Sequence, residues 1–378
     1  MHAVILAAGA GRRLWPLTAY RPKPMLPVAA RPILAHVIET ATAAGVDTVT
    51  LVVGYKADRI REFVGDGTRF DVPVTYVDQE HQLGTAHAVA QAAGTVEDAF
   101  LVLNGDQIVD AAAIAAVIDS TAEQTPVMAV TSVDDPVAYG VVAVEDGFVT
   151  AIDEKPTQTT SGLINAGIYG FDPSIFTVIE ELSPDVAGEL SLVTAIERCI
   201  TDAGVAAVVT DGRWVDVTAP GDLLTVGATL HREPAIDETA SVAPTAVIGP
   251  GVTVAADVRV GPHAVLSGDV DVGANVTIGP QVSIEDSVIM PDSHIEAAAT
   301  VATSVIGQNV RIGRATVMEG RGGGGVDGVD PVVVIGDHSR IGPAALLEAP
   351  AAVGVDCDVA AGAHLRDTVA DATRVVSR

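Results

Sequence analysis

The feature that most constrains the fold is an aliphatic residue that recurs every six positions in the second half of the 378-residue chain. The first series is Val242, Ile248, Val254, Val260, Leu266, Val272, Ile278 and Ile284. Glycine follows several of these residues, as in Ile248-Gly249 and Val260-Gly261, which suits tight turns with little room for a side chain. Six-residue steps match a triangular coil in which each side contributes one strand and one turn. The period therefore predicts a left-handed parallel β-helix over residues 240–378.

The same period returns near the C-terminal end, at Ile335, Ile341, Leu347, Val353, Val359 and Leu365. A glycine-rich segment, residues 320–331, separates the two series, and its composition predicts a flexible loop that projects from the coils. Polar residues around Pro234 precede the first series, so we predict a domain boundary between residues 230 and 240. We expect the flat faces of the coils to pack side by side in a homo-oligomer.

The first 230 residues follow a different pattern, in which short Val/Ile/Leu runs alternate with Ala-rich stretches at helical spacing. Examples are the runs Ala3–Leu6 and Thr48–Val53, which flank the helical stretch Ile33–Ala44. This order predicts an α/β domain with a mostly parallel sheet wrapped by helices. Ligand-binding loops are then expected at the carboxyl ends of the strands.

The charge balance excludes some classes of partner. The net charge is −28, from 49 acidic and 21 basic residues, so the surface would repel a nucleic-acid backbone. Such a surface stays soluble at high ionic strength, and we interpret it as a sign of a halophilic source. The apolar runs are too short to span a bilayer, so we expect a cytoplasmic protein with no membrane partner. Cys199 and Cys357 lack metal-ligand spacing and are expected to be buried fillers.

The first strand runs into a glycine turn that contains Gly9 and Gly11 and continues into Arg12 and Arg13. Backbone amides of such a turn can close on phosphate oxygens, although many strand-to-helix turns carry glycines for geometry alone. A proline-stiffened segment, residues 21–28, then presents Lys23, one of only three lysines in the chain. A rare lysine held rigidly after a glycine turn favours a phosphate contact.

Two aspartates follow predicted strands and could share a cation. Asp106 ends the motif Asn104-Gly105-Asp106 after an apolar strand, and Asp216 follows Trp214-Val215. Mg²⁺ takes hard oxygen ligands and is commonly bound by one or two carboxylates together with substrate phosphates. The pair therefore predicts Mg²⁺ as cofactor.

These motifs resemble those of the sugar-1-phosphate nucleotidyltransferases, of which glucose-1-phosphate thymidylyltransferase is typical. The family's opening signature is similar to residues 9–18 and 22–28, except that Arg12 replaces its usual Thr or Ser. The resemblance covers about 225 residues and implies a Rossmann-like mixed sheet. It departs after Asp216, where Thr218 and Ala219 stand in place of the family's Gly and Thr.

The resemblance also implies residue roles. Arg13, Lys23, Asp106 and Lys155 are implied as catalytic, and Asp106 and Asp216 as metal ligands. The implied nucleotide-binding residues are Leu6, Ala8, Gly9, Gly11, Gln79, Gly84 and Thr85, and the implied sugar-phosphate residues are Gly140, Glu154, Lys155 and Asn165. The implied reaction transfers a nucleotidyl group from a pyrimidine nucleoside triphosphate, dTTP or UTP, to a sugar 1-phosphate, with glucose 1-phosphate as the default, and releases pyrophosphate.

Two alternatives stay open. The protein could be bifunctional and also acetylate glucosamine 1-phosphate with acetyl-coenzyme A, with His263, His294, His338 and His364 as candidate bases. It could instead be a non-catalytic paralogue that binds nucleotide sugars. Retention of Lys23, Asp106, Lys155 and Asp216 speaks against the second alternative.

Overall fold

The computed structural model describes residues 1–159, 161–186, 188–230, 234–320 and 332–376. The described residues form two compact units. The first contains Met1–Ala10 and Ile33–Asp216, and the second contains Gly11–Pro32 and Val217–Arg378. Gly11 and Lys23 thus fall in the second unit, although they precede most of the first unit in sequence, whereas Gly9 belongs to the first unit. A boundary between residues 230 and 240 stays a prediction about independent folding.

The first unit is built on a nine-stranded sheet. From one edge to the other its strands are Val74–Asp78, Thr48–Val53, His2–Ala7, Phe100–Asn104, Leu163–Phe171, Val127–Ser132, Val205–Thr210, Phe148–Glu154 and Gly140–Glu145. The first four run parallel, whereas Leu163–Phe171 is antiparallel to both of its neighbours in this order. The α/β class and the mixed sheet are confirmed. The expectation of a mostly parallel sheet holds for only half of the neighbouring pairs: Val127–Ser132 runs parallel to Val205–Thr210, whereas the other pairs that follow Phe100–Asn104 in this order are antiparallel.

Helices cover this sheet. They are Ile33–Ala43, Ala57–Val64, Thr85–Ala90, Ala111–Glu123, Ser174–Glu180 and Leu192–Asp202, with short 3-10 turns at Thr68–Phe70 and Pro136–Ala138. Phe100 and Phe171 are fully buried, and the Phe100 ring stacks on Phe176 at a centroid distance of 5.5 Å. Phe100 and Phe171 belong to one hydrophobic core of this unit, and Phe176 packs against that core. Cys199 is buried here and forms no disulfide.

The second unit contains a stack of short parallel strands, which we call the repeat region (residues 235–376). One sheet contains Ser241–Val242, Arg259–Val260, Thr277–Ile278, His294–Ile295, Arg311–Ile312, Arg340–Ile341, Asp358–Val359 and Arg374–Val375. The other contains Ala235–Ile236, Val247–Ile248, Val252–Val254, Val265–Val272, Ser283–Ile289, Thr300–Ile306, Val317–Glu319, Val333–Ile335, Leu346–Glu348, Ala352–Val353, His364–Leu365 and Thr368–Val369.

Register in the repeat region follows from the six-residue period. Ser241 pairs with Arg259, and Arg259 pairs with Thr277, so each strand lies beside the strand three repeats further on. The aliphatic positions point inward, and Leu266 and Ile284 are fully buried in one continuous core. Gly320 is the only residue of the predicted loop 320–331 that is among the described residues, and the other eleven lie outside them.

Two further segments belong to the second unit. The helix Asp222–Leu230 contacts strand Val265–Val272 of the repeat region. Residues 11–32, which we call the signature loop, contain 3-10 turns at Arg12–Leu14 and Lys23–Met25 and short strands at Pro27–Val28 and Arg31–Pro32. Within the described residues, no helix is long and apolar enough to cross a membrane.

Candidate functional site

Strand pairing brings the two predicted metal ligands close together in the first unit. The short strand Gln107–Val109 is antiparallel to Trp214–Asp216, and Asp216 lies opposite Gln107. Because opposed residues of antiparallel strands lie about 5 Å apart at Cα, Asp216 is adjacent to the backbone of Asp106. Both aspartates are half-buried. The amide of Gly105 donates to the Leu6 carbonyl at 2.9 Å, which ties this turn to the end of the first strand.

A set of close contacts, unrecognised in the sequence, supports this pair of strands. The Asn104 side-chain amide donates to Gln107 Oε1 at 3.1 Å. Gly167 has a φ of +73°, and a Cβ there would collide with both of these side chains. Trp214 Nε1 donates to the Ala166 carbonyl at 2.9 Å, so the second metal-ligand strand is also held at this point. Glycine is required at position 167 for the close approach and for the left-handed backbone.

The implied nucleotide-binding residues Gln79, Gly84 and Thr85 belong to one tightly bonded turn. Gln79 is buried, and its side-chain amide donates to the Gly84 carbonyl at 3.0 Å and lies 3.0 Å from His87 Nδ1. Gly84 has a φ of +99°, and a Cβ there would meet the backbone of Leu190. Thr85 Oγ1 accepts from the Leu192 amide at 2.9 Å. The side chains of Gln79 and Thr85 thus organise the turn itself.

One residue of this segment extends to the first strand. Gln82 donates through Nε2 to the Ala8 carbonyl at 2.8 Å, and the same carbonyl accepts from the Tyr55 amide at 3.1 Å. The structure thereby brings Ala8 and the turn around Gln79 to one region of the first unit. Leu6 is half-buried at the strand end, while Gly9 is exposed with no heavy atom near its missing Cβ.

The predicted sugar-phosphate residues also come together in the first unit. Glu154 pairs with Gly140, and a Cβ at Gly140 would lie 2.8 Å from Glu154 Oε2 and 3.8 Å from Asn165 Cβ. Lys155 is exposed at a φ of +49°, and its amide donates to the Tyr139 carbonyl at 3.0 Å.

Asn165 is fixed by hydrogen bonds at both ends of its amide. Its Nδ2 donates to the Tyr169 hydroxyl at 2.8 Å, and its Oδ1 accepts from the Gly167 amide at 3.0 Å. Burial raises the pKa of Tyr169 to about 12, so the phenol stays protonated at physiological pH. Asn165 therefore connects the sugar-phosphate residues to the strand pair that carries the aspartates.

The signature loop brings its own predicted residues together in the second unit. Gly11 has a φ of +62°, and a Cβ there would lie 2.8 Å from Lys23 Cβ. The Gly11 carbonyl accepts from Thr18 Oγ1 at 3.0 Å and from the Leu14 amide at 2.9 Å. Arg12 and Arg13 are exposed on the turn that follows. The glycine turn and Lys23 are therefore neighbouring parts of one structure.

The turn after Asp216, whose sequence differs from the resembled motif, is held by the carboxylate of Asp222. Asp222 Oδ2 accepts from the amides of Thr218 and Ala219 at 2.6 and 2.8 Å and from Thr218 Oγ1 at 3.0 Å. Threonine at position 218 thus adds a hydroxyl donor at the position where the resembled motif has glycine.

With this geometry in place, the chain can be compared with known proteins. Residues 2–233 match the family model described as nucleotidyl transferase, and residues 256–338 match the GMPPB C-terminal domain. The chain therefore belongs to the nucleotidyl transferase family. Among its relatives is the low-salt glycan biosynthesis nucleotidyltransferase Agl11 of Haloferax volcanii, 34% identical over 337 residues, which are 83% of this chain and 94% of that protein.

Other relatives extend the comparison. The glucose-1-phosphate thymidylyltransferase of Streptomyces antibioticus is 30% identical over 332 residues, covering 82% of this chain and 93% of that protein. A Bacillus anthracis crystal structure, provisionally assigned as a glucose-1-phosphate thymidylyltransferase and solved with sucrose, superposes with a TM-score of 0.57. It is 28% identical and covers 61% of this chain and 95% of that one. The chain spans about half the length, 54%, of the bifunctional protein GlmU of Methanococcus maripaludis, to which it is 38% identical over 231 residues.

Proposed function

We propose that this protein transfers a nucleotidyl group from a pyrimidine nucleoside triphosphate, dTTP or UTP, to a sugar 1-phosphate, with glucose 1-phosphate as the first candidate. The observation that carries the proposal is the pairing of Asp216 with Gln107, which sets a second carboxylate beside Asp106. Membership of the family and the names of the full-length relatives support the same reaction class.

The carboxylate pair fits a divalent cation of the Mg²⁺ type. Among the described residues there is no group of three or more His, Cys, Asp or Glu side chains that could hold a metal ion by itself. A two-carboxylate site suits Mg²⁺, which keeps several waters and completes its shell with substrate phosphates. We therefore assign Mg²⁺ to Asp106 and Asp216, and the ion, when bound, would neutralise charge on the triphosphate.

The reaction needs little acid-base chemistry from the protein. An oxygen of the sugar phosphate attacks the α-phosphorus, the bond from that phosphorus to the bridging oxygen breaks, and pyrophosphate leaves. The attacking phosphate is already ionised at neutral pH, so the protein contributes positioning and charge. We assign Arg13 and Lys23 to the triphosphate, Lys155 to the sugar phosphate, and Glu154 and Asn165 to the sugar.

A substrate panel tests the proposal. The purified chain, in molar KCl with Mg²⁺, is given dTTP, UTP, ATP or GTP with glucose 1-phosphate or N-acetylglucosamine 1-phosphate, and pyrophosphate release is measured. We expect a pyrimidine nucleotide with glucose 1-phosphate to be the fastest pair. Absence of pyrophosphate from every pair would leave the non-catalytic alternative. A parallel reaction with glucosamine 1-phosphate and acetyl-coenzyme A tests the bifunctional alternative.

For the repeat region we propose a left-handed parallel β-helix that mediates homo-oligomer formation. Val247 pairs with Val265, and these apolar residues are 57% and 38% exposed. We take this exposed pair as the candidate contact point between subunits. Light scattering of the double variant Val247→Asp, Val265→Asp is expected to give a smaller mass than the parent chain, and equal masses would contradict the proposal.

A further inference from the structure

The signature loop is the basic part of an acidic protein. Residues 11–32 contain Arg12, Arg13, Arg21, Lys23 and Arg31 and no acidic residue, a charge of +5. The whole chain has a net charge of −28, so the remaining residues sum to −33. This loop lies in the same compact unit as residues 217–378. Its contacts in that unit explain why part of its positive charge is not available to substrate.

Arg21 is the one charged residue of the signature loop that is buried. It is 8% exposed, and its guanidinium forms an ion pair with Asp337, which is 1% exposed. The same guanidinium donates to Gln308 Oε1 at 3.2 Å and contacts the sulfur of Met290. The other carboxylate oxygen of Asp337 accepts from the Gln308 amide at 2.8 Å. Both charges are thus buried and held by further polar contacts within the repeat region.

Other contacts hold the loop along the same stack. The Tyr20 hydroxyl donates to Asp356, and Trp15 Nε1 donates to Asp371 at 3.4 Å. The amide of Ala29 donates to Asp271 Oδ2 at 2.6 Å. Asp337, Asp356 and Asp371 lie on successive coils, since the Asp356 amide donates to the Asp337 carbonyl and the Ala372 amide to that of Val355. The loop therefore runs along the coils and is bonded at several levels.

Arg21, which forms the buried ion pair, is close to Lys23 in sequence and is joined to it by a rigid segment. Pro22 and Pro24 flank Lys23, and the 3-10 turn Lys23–Met25 begins two residues after Arg21. Proline fixes φ, so little freedom remains between the Arg21 ion pair and the lysine backbone. Gly11 packs directly against Lys23 Cβ. A shift at Arg21 would therefore move both predicted phosphate-binding elements together.

We propose that Arg21 is a positioning residue for nucleotidyl transfer, whose buried ion pair with Asp337 fixes the signature loop on the repeat region and so places Lys23 for the triphosphate. The inference rests on the proposed function. It gives the repeat region a part in nucleotide binding, separate from any role in assembly. Removing one partner of a buried ion pair leaves an uncompensated charge, so the loop is expected to detach when Arg21 is neutralised.

Steady-state kinetics of the full chain test this role. Arg21→Met keeps an unbranched apolar stem but removes the guanidinium and its charge, and Arg21→Lys restores the charge. The matched control is Ser293→Ala, which removes a buried hydroxyl that bonds Gly307 and Val310 inside the repeat region. A displacement of a substrate-positioning group by about 1 Å can lower the reaction rate on the order of 100-fold.

We expect Arg21→Met to raise KM for the nucleoside triphosphate by about 10-fold or to lower kcat by a comparable factor. Arg21→Lys should recover part of the loss, and Ser293→Ala should leave both constants within about twofold of the parent. The same kinetic loss in Ser293→Ala and Arg21→Met would mean general destabilisation and would overturn the proposal. If Arg21→Met does not fold, as judged by circular dichroism, Asp337→Asn takes its place with the same expectation.

Hydrogen exchange supplies a readout that does not need activity. Amides of residues 11–32 should exchange faster in Arg21→Met than in the parent or in Ser293→Ala, while the first unit stays protected. If the amides of this loop exchange at the parental rate in Arg21→Met, the proposal that Arg21 holds the loop is refuted. If no substrate pair reacts with the parent chain, the proposed function fails, and the exchange result still decides whether Arg21 holds the loop.

Discussion

Gly167→Ala perturbs the candidate metal site locally, and the contacts of Gly167 give the expected loss in the free energy of unfolding. At a φ of +73° an alanine costs about 1 kcal/mol, because L-residues avoid the left-handed region. Its Cβ also collides with the Asn104 and Gln107 side chains, and overpacking of this kind costs about 1–3 kcal/mol. Loss of the hydrogen bond between those side chains adds about 1 kcal/mol. The expected destabilisation is therefore about 3–5 kcal/mol.

Gly147→Ala is the matched control. Gly147 has a φ of +83°, but no heavy atom lies within 4 Å of its missing Cβ. This variant carries the backbone strain without the collision, so we expect a loss of only about 1 kcal/mol.

Urea unfolding of both variants is followed by Trp214 fluorescence in a Trp15→Phe background. Trp214 is a local probe, since its Nε1 bonds the Ala166 carbonyl next to Gly167. Pyrophosphate release measured in parallel should fall about 10-fold or more in Gly167→Ala and stay near the parental rate in Gly147→Ala. Equal destabilisation of the two variants would show that contacts with Asn104 and Gln107 do not constrain position 167.

Three further results are expected. Asp106→Asn should lower kcat on the order of 100-fold at saturating Mg²⁺, whereas the exposed Asp98→Asn should not, as measured by pyrophosphate release. Burial raises the pKa of Tyr169 to about 12 in the folded protein, from 10.0 in the unfolded chain. The folded state therefore gains about 3 kcal/mol in free energy of unfolding, which is fully present below pH 10 and is lost as pH rises through 12. Tyr169→Phe should remove that slope from urea titrations. Because the net charge is −28, reducing KCl from 1 M to 0.1 M, which lengthens screening from about 3 to about 10 Å, should lower Tm; an unchanged Tm would contradict a halophilic adaptation.

The sequence patterns with a short period gave the most reliable predictions. The six-residue repeat predicted which aliphatic side chains are buried, as Leu266 and Ile284 show, because the period matches the spacing of inward-facing positions in the stacked parallel strands. Asp106 and Asp216 could also be paired in advance, since both follow strands and strand ends cluster in α/β folds. Nothing in the sequence around their neighbour Gly167 predicts its contact with Gln107, because that contact forms only in the folded protein.

The grouping of the signature loop with the repeat region was not predictable from the chain. Arg21 and Asp337 are 316 positions apart, and nothing in the local composition around either residue indicates the other. The proline-rich motif of residues 21–28 indicates a role for Lys23, whereas nothing in it indicates a role for Arg21. A basic segment in an acidic chain was the available signal, although charge alone does not identify which acidic residues receive it.

The bonding of residues 11–32 to coils near the other end of the chain has a consequence for how such enzymes can be recombined. A chimera that joins the first 230 residues of one relative to the C-terminal part of another would place the loop of the first protein against hydrogen-bond acceptors of the second. Exchange of the coils alone would then cost function unless positions such as 271, 337, 356 and 371 carry matching side chains. Substitutions in the loop and at these acceptor positions are accordingly expected to co-vary among relatives, although the two sets of residues are far apart in the sequence.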